Sequence, residues 1–272
     1  MPPPYHPLGH CLYCGRGSRE GYLTREHILA LSLGGTLVLP QSSCVECAAK
    51  TRDFETTIAR KVLLDIRTHW NLKTRNPKNR PTELSTTAGP LAVERHPPYL
   101  FLQEFERPGI LLNQPSRAEI GLVHVRVHTA PHTGKRHVAL GDVGVQMTLS
   151  PNAMMLTLAK TAHAFAVAEL GEAAFDATLP ALILGKAAYR PSWLVGSIPR
   201  ANLEVINRGD ELPPLFHTLE LRQIDSDIGE RLLTCEITLF KLLRMPVYQV
   251  VFGIPKTDFI SGETISSITQ DL

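Results

Sequence analysis

The chain has 272 residues, 43% of them hydrophobic and 20% charged, with a net charge of +2. That composition supports a sizeable core and excludes global disorder, so the expectation is one large domain or a small one joined to a larger one. No apolar run approaches the ~18 residues that a bilayer span requires, and the start, Met1 to Pro7, has no basic region followed by an apolar stretch, so a cytoplasmic protein is expected.

Residues 1–10 form a proline-rich lead. Cys11 to Gly15 reads as a tight turn with a thiol on either side, and residues 22–29 as a strand. Gly34-Gly35 supplies a sharp turn, because glycine tolerates positive φ. Residues 37–40 read as a second extended piece, and Cys44 to Cys47 as a second knuckle that opens a helix. Phe54, Ile58, Val62 and Ile66 recur every four residues as one apolar helical face, which must stop before Asn76-Pro77. Residues 71–90 read as a basic and then polar exposed linker, the candidate domain boundary.

Beyond the linker, residues 99–102, 121–127 and 143–149 read as strands; the second alternates Val123, Val125 and Val127 on one face. Ser150-Pro151-Asn152 is a helix start, and the helix runs to Leu170 with Gly171 as its stop. A shorter helix is expected over 173–184, kinked at Pro180, and strands over 215–224, 231–241 and 246–252. The fold class is therefore α+β: residues 1–85 as a small unit, then 86–272 as a mixed α+β domain with antiparallel strands and about two helices.

Two patterns carry chemistry. Residues 1–82 hold net charge +6 and the remainder net −4, so the first third suits a polyanionic partner. Four of the five cysteines form C-x-x-C pairs, Cys11/Cys14 and Cys44/Cys47, which points to a four-thiolate structural zinc site and not to disulfides. A closed site of that kind holds the fold and leaves no open position for catalysis. Cys235 stands alone in an apolar segment and reads as a small buried hydrophobe. His10 is a spare ligand at most. His124, His128, His132 and His137 recur around a turn and read as solvent-facing.

Cys11-Leu12-Tyr13-Cys14-Gly15, Thr24-Arg25-Glu26-His27-Ile28, Leu33-Gly34-Gly35, Leu39-Pro40 and Ser43-Cys44-Val45-Glu46-Cys47 follow in this order. In that order and spacing, the segment 11–70 resembles the four-cysteine branch of the HNH endonuclease family. The resemblance implies a zinc-stapled ββα-metal finger that hydrolyses phosphodiester bonds of nucleic acid, with DNA as the substrate class. It implies His27 as general base and Glu26 as ligand to a catalytic Mg²⁺ or Mn²⁺; beside the resemblance, Glu55, two turns along the helix from Ala48, is a candidate oxygen donor to that ion if its side chain faces the dyad. Where the family often places an Asn or His ligand just after the second knuckle, this chain has Ala48. Arg25, Lys50, Arg52, Lys73, Arg75, Lys78 and Arg80 are the expected nucleic-acid contacts; the oligomeric state stays open, with a homodimer as one option. Two rival readings stand beside this one: a non-catalytic, zinc-stabilised nucleic-acid-binding module, and a ligand-sensing C-terminal region with the finger as effector.

Overall fold

Leu23–His27 (β1) and Val38–Cys44 (β2) pair antiparallel, with Leu23 opposite Cys44 and His27 opposite Val38. Val45–Thr57 (α1) follows directly, so the segment is a β-β-α unit. The computed structural model describes residues 5–74, 76–86, 89–93, 99–115, 121–126, 150–198, 216–241, 246–257 and 259–271; at 99–101, 121–126, 216 and 271 only the backbone is described.

The continuous helix expected through Ile66 is broken. A π turn at Ile58–Val62 closes with Leu63 N–H donating to Ile58 O, and the short helix Leu64–His69 (α2) follows. The extra residue in that turn moves the buried face from Val62 to Leu63 while keeping Ile58 and Ile66 inside. The helix ends at His69, before the proline, because Asn71 turns left-handed at φ 51°. The stretch expected as linker holds a hairpin, Glu83–Thr86 (β3) with Gly89–Ala92 (β4).

Tyr99–Glu104 (β5) and Gly121–Arg126 (β6) form a second antiparallel pair, with the short helix Gly109–Leu112 (α3) between them. The expected strand at 143–149 lies outside the described residues. Pro151–Leu170 (α4) starts and stops where the sequence says, and Gly171 ends it at φ 73°. The helix expected over 173–184 is instead a short strand, Phe175–Ala177 (β7), then Leu179–Ile183 (α5). Phe175 is an in-facing strand residue, and Pro180 sits in the first turn of α5, where its missing N–H costs nothing.

Val195–Ile198 (β8), Phe216–Asp225 (β9), Arg231–Thr238 (β10), Val247–Pro255 (β11) and Thr264–Asp271 (β12) complete the main sheet. Its order is β12-β9-β10-β11-β7, all antiparallel. β8 shares the outer edge of β11 with β7, pairing with Val247 to Val250 while β7 takes Gly253 to Pro255.

α4 lies between the β-β-α unit and this sheet, touching α1 on one side and β9, β10 and β11 on the other. Thirteen of its twenty residues are buried, so it is wrapped on all sides and not merely along one stripe. The buried apolar side chains form one continuous cluster from Cys11 to Phe252, crossing the expected boundary near residue 85. No described helix is long and apolar enough to cross a membrane.

Candidate functional site

The four cysteines converge. Cys11 and Cys14 flank a turn closed by Gly15 N–H donating to Cys11 O, with Gly15 left-handed at φ 75°. Cys44 ends β2 and Cys47 sits in the first turn of α1, so strand pairing and helix start bring the second pair onto the first. All four sulfurs lie within 4.8 Å of one another, and Cys14 Sγ is 3.8 Å from Cys44 Sγ. A tetrahedron with metal–sulfur bonds of about 2.3 Å has edges of about 3.8 Å, so the cluster fits a metal ion such as zinc. All five cysteines are free thiols. Burial pushes the Cys44 and Cys47 thiols up; a bound dication would reverse this, because its ligands are thiolates. His10 stays out of the cluster and pairs with Glu172 at 2.6 Å. Cys235 is fully buried in β10, as a small hydrophobe should be.

Glu26 and His27 end β1, and strand alternation turns them to opposite faces. Glu26 is buried, while His27 is half-buried and faces a cleft. Behind the dyad stands a residue that sequence reasoning missed. Lys160, in the middle of α4, is fully buried, with Nζ 2.7 Å from Glu26 Oε1 and 2.9 Å from Glu55 Oε1. It also donates a hydrogen bond to the backbone carbonyl of His27. The flanking carboxylates hold the Lys160 ammonium well above its ordinary pKa, against the cost of burial. Burial raises the Glu26 carboxyl; the ammonium pulls it back, and the charge of Glu55 adds to the rise. The signal was present: between Pro151 and Leu170 the only charged residues are Lys160 and Glu169, and a lone cation in an apolar helix needs a buried partner.

The cleft has a volume of about 1090 Å³. Its floor includes Glu26, His27 and Glu55; one face of α1 contributes Ala48, Arg52 and Glu55 at helical spacing, and Ala59 follows from the π turn. Six cations line it, Arg25, Arg52, Arg60, Arg67, Lys73 and Arg80, against two carboxylates, both ion-paired to Lys160. Arg60 and Arg67 were not among the expected contacts. Arg67 is tied down, donating to Ser32 O and Ala59 O, and Arg80 donates to Leu72 O. Lys50 points elsewhere, its ammonium on Leu184 O at 3.1 Å. Lys78 is exposed outside the cleft lining, and Arg75 lies outside the described residues. Of the four expected surface histidines, His124 is described by backbone alone, and His128, His132 and His137 lie outside the described residues.

A divalent cation does not fit between Glu26 Oε1 and Glu55 Oε1, where Lys160 stands. Glu26 and Glu55 each present an oxygen to Lys160, and a dication in the same place would meet an ammonium within 3 Å of both. Among the described residues, the one convergent group of three or more His, Cys, Asp or Glu ligand atoms is the cysteine cluster. Comparison with protein families, curated proteins and solved structures finds no match for this chain.

Proposed function

We propose that the cleft binds the phosphodiester backbone of nucleic acid and that His27 acts in it as a general base for hydrolysis. The observation that carries this reading is the placement of His27 on the floor of a large cleft lined by six cations. Arginine and lysine donors suit phosphate oxygens, and such contacts supply most non-specific affinity for nucleic acid. The motif order around the cysteines, which resembles HNH endonucleases, supports the same reading and names DNA as the substrate class.

The chemistry requires few parts. A neutral imidazole, with an ordinary pKa near 6.5, accepts a proton from water. The resulting hydroxide oxygen attacks phosphorus, the bond from phosphorus to the 3′ oxygen breaks, and that oxygen leaves with a proton from solvent. Guanidinium groups of the cleft stabilise the extra negative charge that develops on the phosphoryl oxygens. Zinc at the four cysteines would hold β2 and α1 in place and take no part in these steps.

A second reading is a binding module without catalysis. The six cations favour it, because they offer donors to phosphate whether or not His27 acts as a base. A plasmid-nicking assay with purified, zinc-loaded protein, beside His27→Ala, separates the two. The hydrolase reading expects nicking by the wild type and at least ~100-fold less by His27→Ala. DNA binding without nicking by the wild type would establish the binding module instead.

A further inference from the structure

We propose that Lys160 is the resident cation of this site, standing between Glu26 and Glu55 where a divalent ion would otherwise sit, so that the cleft takes its ligand without Mg²⁺ or Mn²⁺. The inference deepens the reading above and rests on it for the identity of the ligand.

Three observations converge. The ammonium ion-pairs with both carboxylates, at 2.7 Å and 2.9 Å. Its hydrogen bond to His27 O ties it to the backbone of the base, so one cation orders all three site residues. It comes from α4, more than 130 residues from the Glu26-His27 dyad in sequence, and is fully buried. A lysine so placed is held by packing and cannot swing aside without opening the contact of α4 with α1. The ammonium is fully buried, within 3 Å of both carboxylates, and donates to the backbone carbonyls of His27 and Ile28, so it is engaged inside the protein and not presented to a phosphate. Lys160 is therefore a positioning residue, and the cations that touch phosphate are those lining the cleft. Ala48 is consistent with this arrangement: a metal-free site needs no further ligand there.

The test is Mn²⁺ uptake by the zinc-loaded full chain, followed by the loss of the free-ion electron paramagnetic resonance signal. Wild-type protein is expected to take up no Mn²⁺ that depends on Glu26, so its titration should match that of Glu26→Gln. Lys160→Met removes the ammonium and leaves two facing carboxylates, and should tighten Mn²⁺ binding at least ~10-fold. The double variant Lys160→Met/Glu55→Gln should lose that gain. If Lys160→Met does not fold, the wild-type comparison with Glu26→Gln still decides. Uptake of one Mn²⁺ by the wild type, lost in Glu26→Gln, would overturn the proposal. Absence of DNA binding would count against the functional reading instead, and leave the Mn²⁺ result to judge Lys160.

Discussion

Buried polar residues set the terms at the scale of single side chains. His217 is fully buried, with Nε2–H donating to Leu33 O at 2.8 Å and Nδ1 accepting from Phe240 N–H at 3.1 Å. Both ring nitrogens are used by the neutral form, and burial lowers the pKa to about 4. Because the folded value lies below the ordinary 6.5, the stability from this group is full above about pH 6.5 and is lost as pH falls toward 4. The loss should approach about 3 kcal/mol. Urea unfolding between pH 7.5 and 4.5 should therefore fall more steeply for the wild type than for His217→Gln. Equal slopes would contradict this assignment. Gly35 offers a second test. A Cβ there would lie 1.9 Å from Leu29 O, a backbone atom that cannot step aside. Gly35→Ala should cost about 3 kcal/mol in the same assay.

The cysteine cluster was legible from spacing, because two C-x-x-C pairs in one short segment can meet at a single point. Lys160 was visible only as an anomaly in an apolar helix, since its partners come from β1 and α1. Arg60 lies in the π turn and Arg67 in the short helix after it, a break that four-residue periodicity concealed.

Two segments organise the site at the scale of elements. One is the β-β-α unit, whose strands and helix meet at the cysteine cluster. Cys14→Ser leaves three thiols, so it should abolish stoichiometric zinc and destabilise residues 11–57 by several kcal/mol. Zinc content and far-UV circular dichroism would show this; full helicity without zinc would contradict it. The other is α4, which presents Lys160 and His163 three residues apart on one face. Lys160 reaches the dyad, while His163 Nε2–H donates to Leu12 O beside the first knuckle. One helix thus steadies both the carboxylate pair and the cysteine turn. Its ends were legible because Ser150-Pro151 and Gly171 are strong boundary signals. β12 was not, because a register shift between Thr264 and Ser266 breaks the alternation that puts Ile265 and Ile268 against the core. The hairpin of β3 and β4 was hidden by a polar sequence that reads as linker.

Taken as a whole molecule, the charge asymmetry of the sequence becomes a place. Six cations of the first third line the cleft that His27 also lines, and one continuous core joins this unit to the sheet behind α4. A polyanion drawn to that cleft should bind with a steep salt dependence, each phosphate contact adding about 0.9 to the slope of log affinity against log salt. The most direct measurement is therefore fluorescence anisotropy of a short DNA duplex with the zinc-loaded protein across a salt series, beside Arg60→Glu and Lys73→Glu. The account predicts measurable binding whose slope falls by about one for each reversal, and affinity that falls with it. Binding that is absent, or that neither reversal changes, would contradict the assignment of this cleft to the phosphodiester backbone.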